Sequence, residues 1–339
     1  MKKINCAVIG CGRIGCGFDD CSKIVRTHAG AYFRNPQTQL IALCDIDKKK
    51  LKKYGKKYQI SKLYTSSNEL FKNEKLDCVS ICTLIDTHLE LVKSAVKNGV
   101  KGIFLEKPIA SNLKDAMEII RICKNNDVTL VIDHQRRFHP VYEKIKKILE
   151  KKEIGKIQFV NVYYGAGIAN TGSHLFDLLR MLFGEIKSIK GEFSNIKSSN
   201  YLDPNLDIIL ELNDFKCKIH SLDYKNYAVF QAEVFGTKGV IKLEMINNSV
   251  ELLKTTSKNS PVYHVLKHSK INIKNIKFSP IELGLRHLLS CIKSKKIPKS
   301  NAYDGYKSLE AIVGALMSAN KEKTIKFPLK NSTYQVKSR

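Results

Sequence analysis

The stretch that most constrains this chain runs from Ile4 to Cys21, "INCAVIGCGRIGCGFDDC". Its apolar start reads as a buried strand, followed at once by Gly10, Gly12 and Gly15 in GxGxxG spacing, and a second apolar strand, "TQLIALCD", ends on Asp45. In that context the spacing is a dinucleotide fingerprint: one glycine makes the turn, one lets a pyrophosphate approach the backbone, one lets helix and strand pack, and the acid accepts from the ribose diol. Asp45 follows Gly15 by 30 residues, where about 20 is usual. The surplus, "CGFDDCSKIVRT", reads as an insertion in the first loop ahead of a helical "HAGAYFRN", and it is expected at the rim of the site. The alternative for Asp45 is a helix N-cap.

Cys6, Cys11, Cys16 and Cys21 recur every five residues through the same stretch. A strand rises about 3.3 Å per residue and alternates its faces, so Cys6 and Cys11 point apart. The uniform gap matches neither a zinc nor a ferredoxin pattern. No metal is expected, and the cysteines read as small packing residues.

Further apolar strands, "LDCVSICT", "VKGIFLE" and "DVTLVID", alternate with helical patterns, as in a doubly wound parallel sheet. Ligands then bind at the carboxyl ends of the strands, where Thr83, Glu106-Lys107-Pro108 and His134-Gln135-Arg136 fall. After a linking helix near Val141 to Lys151 the pattern changes to short alternating runs: "KIQFVNVYYG", "DIILELN", "KCKIHSLDY", "AVFQAEVFG" and "GVIKLEM". Such runs suit an antiparallel sheet with one covered face. The expected fold is α/β: an N-terminal Rossmann domain over residues 1–125 and a C-terminal α+β domain with an open, mainly antiparallel sheet over 126–330. Helices at "SHLFDLLRMLF" and "DGYKSLEAIVGALMSANK" would cover that sheet, the last one able to return to the interdomain cleft.

A net charge of +26 is the one compositional outlier. It favours anionic partners, but the densest run, "KKKLKKYGKKYQISK", spaces Leu51, Tyr54 and Tyr58 as the core stripe of a helix with a solvated lysine face. No zinc-finger, KH or RRM signature accompanies the charge, which weighs against nucleic acid. Cysteines inside buried strands point to a reducing cytoplasm, and no apolar stretch is long enough for a bilayer span, so the chain is expected to be soluble.

In order along nearly the whole chain, "GCGRIG", Asp45, "CTLIDTHLELVKSAVKNG", "LEKP", "HQRRFHP", "GSHLFDLLRMLFG" and "DGYKSLEAIVGALMSA" resemble the motifs of the Gfo/Idh/MocA family of NAD(P)-dependent oxidoreductases. The resemblance implies a homodimer or homotetramer, with a sugar or polyol bound between nicotinamide and the second sheet, and hydride transfer at a carbinol carbon. It implies Lys107 and His174 as catalytic residues, Asp177 on the helical face of His174, and Glu106 facing the cofactor or orienting Lys107. Arg13, Ile14, Thr83, His88 and Gln135 match cofactor contacts, and Arg136 joins Lys107, Asn170, His174 and Asp177 on the substrate side.

Asn170 departs from the family pattern, which places aspartate four residues before the histidine. An amide does not ionise, so Lys107 and His174 are expected to carry the proton while Asn170 orients the substrate. Asp45 favours NAD over NADP by repelling a 2′-phosphate, although Lys48 to Lys50 lie close by. The basic charge and the rim loop suggest a phosphorylated or nucleotide-linked sugar. Two other functions stay open: a cofactor-binding sensor without efficient redox chemistry, suggested by Asn170, and a nucleic-acid-binding protein, suggested by charge alone.

Overall fold

A computed structural model describes residues 3–21, 24–256, 264–273, 277–329 and 332–337. The chain forms two compact units, Met1–His139 with Ile276–Lys307, and Pro140–Asn275 with Ser308–Arg339.

The first unit is built on six parallel strands: β1 (Ile4–Ile9), β2 (Thr38–Cys44), β3 (Lys62–Tyr64), β4 (Cys78–Ile81), β5 (Gly102–Leu105) and β6 (Thr129–Ile132), in the order β3-β2-β1-β4-β5-β6. Helices α1 (His28–Arg34), α2 (Lys48–Tyr58), α3 (Ser67–Asn73), α4 (His88–Lys97) and α5 (Leu113–Asn125) connect them. β4 and β5 are buried at every position, as parallel strands covered on both faces must be. Strand order reverses between β1 and β4, which places the ligand crevice of such a sheet at their carboxyl ends.

The boundary expected at residue 125 is too early. Thr129–Ile132 pairs in parallel with Gly102–Leu105, so "DVTLVID" completes the first sheet and the unit runs on to His139. α2 buries Leu51, Tyr54 and Tyr58, as its spacing indicates. Its lysine face is not wholly solvated: Lys53 and Lys57 pair with Asp20 at 2.6 and 2.8 Å.

In the second unit α6 (Pro140–Glu150) leads into β7 (Ile157–Tyr164), α7 (Asn170–Phe183) and then β8 (Ile186–Phe193), β9 (Leu206–Leu212), β10 (Phe215–Ser221), β11 (Gln231–Gly236), β12 (Gly239–Glu244), β13 (Ser249–Thr256) and β14 (Val265–Ser269). With a short β15 (Ile325–Lys326) they form a nine-stranded sheet, ordered β14-β13-β12-β11-β7-β10-β9-β8-β15. Its pairs are antiparallel except β7 with β10. Alternate residues are buried on one face: Val160 and Val162 of β7, Leu206, Ile208 and Leu210 of β9, and Cys217 and Ile219 of β10. Five of these strands are the runs read from the sequence. β8, β13, β14 and β15 are not legible there, because charged residues dilute their alternation; β14, "VLKHS", is exposed at four of five positions.

The chain then contributes α8 (Pro280–Ser294) to the first unit. Ser279 caps it, Pro280 opens it and Glu282 closes a capping box. Ile281, Leu285, Leu288 and Leu289 of α8 join Val8, Phe104 and Val131 in one core. The last helix, α9 (Ala302–Lys321), is divided between the units after Lys307. Among the described residues no helix is long and apolar enough to cross a membrane.

Candidate functional site

The three glycines after β1 have three distinct surroundings. Gly10 has φ +93°, and a Cβ there would lie 2.6 Å from the Cys82 carbonyl oxygen at the end of β4. A Cβ on Gly15 would lie 1.9 Å from the Gly10 carbonyl oxygen. A Cβ on Gly12 would meet nothing within 4 Å. Two glycines thus let backbones touch, and the middle one faces open space, as a loop that admits a pyrophosphate requires. The helical turn Arg13–Gly17 follows, with the Gly12 carbonyl accepting from Cys16 and Gly17 N–H at 3.0 Å each. The opening amides of such a turn have no acceptor within it and favour an anion.

Asp45 stands beside this loop. Its Oδ2 accepts from Cys11 N–H at 2.6 Å and its Oδ1 from Asp47 N–H at 2.8 Å. Each oxygen keeps acceptor capacity for a ribose hydroxyl. The N-cap alternative falls to Asp47, which accepts from the Lys49 and Lys50 amides at the start of α2. These residues therefore fit a dinucleotide.

The inserted segment is tied down at both acids. Asp19 accepts from Arg26 N–H and the Thr27 hydroxyl, and Thr27 caps α1. Hydrogen bonds from Lys53 and Lys57 hold Asp20 down at about 2. Cys6, Cys11 and Cys16 are buried, and only Cys21 of the four is exposed. A hydrogen bond to Cys11, with burial, holds Cys16 well above the usual thiol range, so it stays protonated and unreactive.

At the end of β5, Glu106 is buried and Lys107 half-buried. Glu106 Oε1 lies 3.1 Å from His28 Nε2, while its Oε2 accepts from Lys107 N–H at 3.3 Å. Asp133, after β6, lies 3.5 Å from the same His28 nitrogen and accepts from Gln135 at 3.0 Å. Sequence reasoning missed both His28 and Asp133. His28 is the first residue of the "HAGAYFRN" helix, and nothing local marks it as a partner of residues so far along the chain.

Of the other expected cofactor contacts, Arg13 is exposed, Ile14 packs against the core, and Thr83 is half-buried, as is Arg136 on the expected substrate side. The Thr83 hydroxyl lies 2.7 Å from that of Thr87. His88 departs from expectation. It is fully buried and faces the carbonyls of Ile109 at 3.2 Å and Thr83 at 3.3 Å, so it braces two loops and has no surface to offer a cofactor. Burial holds its pKa below the usual value.

In the second unit the loop before α7 is organised by Asp203, which accepts from Ala169 N–H at 2.7 Å and Asn170 N–H at 2.9 Å. Asn170 donates from Nδ2 to the Ala166 carbonyl at 3.3 Å. A carboxylate thus supports the start of α7 although residue 170 is an amide, and it comes from 33 residues away. His174 is half-buried. Asp177, expected on the same side, is 1% exposed.

The profile described as "Oxidoreductase family, NAD-binding Rossmann fold" matches residues 4–134, and that described as "Oxidoreductase family, C-terminal alpha/beta domain" matches residues 165–327. The chain belongs to the Gfo/Idh/MocA oxidoreductase family. Within it, a D-apiose dehydrogenase of Paraburkholderia graminis is 25% identical over 342 residues, covering 90% of this chain and 87% of its own. A myo-inositol 2-dehydrogenase of Thermotoga maritima is 27% identical over 236 residues, covering 63% of this chain and 70% of its own. The WlbA dehydrogenase of Bordetella pertussis, crystallised with NADH and UDP-GlcNAcA, shares the fold with a TM-score of 0.77 at 18% identity, over 97% of this chain and all of that one. The Gfo/Idh/MocA assignment makes the first unit an NAD-binding Rossmann domain and the protein an oxidoreductase.

Proposed function

We propose that this protein is an NAD-dependent dehydrogenase that moves a hydride between a carbinol carbon of a sugar or sugar derivative and nicotinamide. The observation that carries this is the opening at Gly12 beside a carboxylate, Asp45, already fixed by two backbone amides. When bound, the nicotinamide supplies the hydride acceptor or donor. Asp45 favours NAD because its charge would meet that of a 2′-phosphate.

The Lys107 ammonium polarises the reacting oxygen or relays its proton. His174 takes the hydroxyl proton as the carbinol is oxidised and returns it in the reverse direction, a task suited to an imidazole near neutral pH. Asn170 orients the substrate by hydrogen bonding, with Arg136 on the same side. The net charge of +26 favours a phosphorylated or nucleotide-linked sugar. UDP or a sugar phosphate should then inhibit at lower concentration than free glucose or inositol; the opposite order removes that refinement. We further propose a cytoplasmic homo-oligomer, to be checked by light scattering.

Lys107→Ala tests the catalytic assignment: turnover should be abolished while the NADH Kd stays within about threefold. Loss of both together, or turnover that survives, contradicts it. Asn170 favours one alternative, a cofactor-binding sensor with little redox activity, and sustained turnover with any sugar would exclude that as the sole role.

A further inference from the structure

Behind Lys107 lies a buried group of side chains that the reaction as described does not use. His28 opens α1, is 1% exposed, and reaches the ends of three strands. Its Nε2 faces Glu106 Oε1 at 3.1 Å and Asp133 Oδ2 at 3.5 Å. A carboxylate only accepts, so this nitrogen donates. Its Nδ1 lies 2.9 Å from Ser80 Oγ, and the Ser80 hydroxyl itself donates to the Tyr32 oxygen at 3.0 Å. With the Ser80 proton given to Tyr32, Nδ1 donates as well, and a ring that donates from both nitrogens is an imidazolium.

The remaining groups that face it are neutral or matched. Burial pushes the Cys82 thiol up to about 11 and raises the Tyr32 hydroxyl, with Cys78 behind it. Burial opposes the charge on His28, but the hydrogen bonds to Asp133 and Glu106 favour it, and the ring is held well above its usual value. Burial also opposes the charge on Asp133, and the hydrogen bond and charge of His28 with the Gln135 amide still hold that acid below its usual value. Glu106 faces His28 with Oε1 and accepts from the Lys107 amide with Oε2, while burial raises its pKa above the usual value against the hydrogen bond and charge of His28.

Resting on the dehydrogenase reading, we propose that His28 is a positioning residue for Lys107: its imidazolium fixes the Glu106 carboxylate, which holds the Lys107 backbone, and offsets a charge that would otherwise keep the Lys107 ammonium protonated. A carboxylate beside an ammonium favours the charged form, and a cation on its far side weakens that preference. The nitrogen and oxygen atoms of His28, Glu106 and Asp133 lie within 4.8 Å of one another, as ligands of a divalent cation would. A ring that donates at both nitrogens has no lone pair for a metal, so the cation reading and this one exclude each other.

His28→Gln and Glu106→Gln test the proposal. His28→Gln should lower kcat by at least about tenfold, since small misplacements of a catalytic group are costly, and leave the NADH Kd within about threefold. Glu106→Gln removes a negative charge beside Lys107, so the Lys107 titration should move to lower pH by about one unit. That shift is read in the kcat/KM profile and, independently of turnover, by NMR of isotopically methylated lysines with Lys107→Arg for assignment. A merely structural role would lower stability and leave the titration where it is. Imidazole nitrogen shifts of the wild-type protein should show His28 still doubly protonated at neutral pH, above the usual imidazole value. If the wild type turns over no sugar, the dehydrogenase reading fails while both NMR measurements still decide this one. A neutral His28, an unmoved Lys107 titration in Glu106→Gln, or stoichiometric zinc uptake that deprotonates His28 would overturn it.

Discussion

Gly12→Ala and Gly15→Ala separate a cofactor cradle from a loop that is merely well packed. Gly12 has φ −70°, open to any residue, and its added methyl would meet nothing within 4 Å. Its effect on folding should stay within about 0.5 kcal/mol. The same methyl would occupy the space through which a pyrophosphate reaches the loop amides. Losing one or two charge-assisted hydrogen bonds of about 1.5–3 kcal/mol each should weaken NADH binding by on the order of 10²-fold. On Gly15 the methyl would fall 1.9 Å from the Gly10 oxygen and 3.1 Å from its carbon. Both are backbone atoms, so the loop must move, at a cost of about 1–3 kcal/mol in folding. Urea unfolding and calorimetric NADH titration of each variant give the two quantities. Gly12→Ala that binds NADH within about threefold of wild type, or that is as destabilised as Gly15→Ala, would refute the assignment.

Asp45→Ala should weaken NADH binding and shift the NADPH-to-NADH affinity ratio towards NADPH by at least about tenfold, measured by competitive titration. Cys21 is the one exposed cysteine of ten, so a thiol-reactive dye should label the native protein with a single fast equivalent, and Cys21→Ser should remove that phase. The folded pKa of Asp20 is depressed to about 2 by Lys53 and Lys57. Its contribution is present above the unfolded value of about 3.9 and is lost as pH falls through the folded one; at its exposure it is worth under about 1 kcal/mol. Asp20→Asn should be slightly less stable than wild type at neutral pH, with the difference shrinking in acid and in high salt when followed by urea unfolding.

Much of the first unit was legible because its strands are buried on both faces. Runs such as "GIFL" and "LIALC" have no polar residue to confuse them, and Gly10, Gly12 and Gly15 mark the loop by spacing alone. Asp45 was legible for the same reason, as the residue that ends a strand. The second sheet was only partly so, since one exposed face lets lysines into β8 and β14 and breaks the alternation. The charged groups behind the site were not legible at all. His28 meets Glu106 across 78 residues, and Asp203 meets Asn170 across 33, so their partners exist only once the strands are ordered. His88 shows the converse: a histidine on a motif was expected at the cofactor, and burial turned it into a brace between two carbonyls.

The measurement that bears most directly on the central claim is a calorimetric titration of the wild-type protein with NADH and, separately, with NADPH. The expected result is one NADH bound per chain, at least about tenfold more tightly than NADPH. Tighter binding of NADPH would mean that Asp45 does not govern the ribose site, and no binding of either would contradict the cradle at Gly12 and the dehydrogenase built on it.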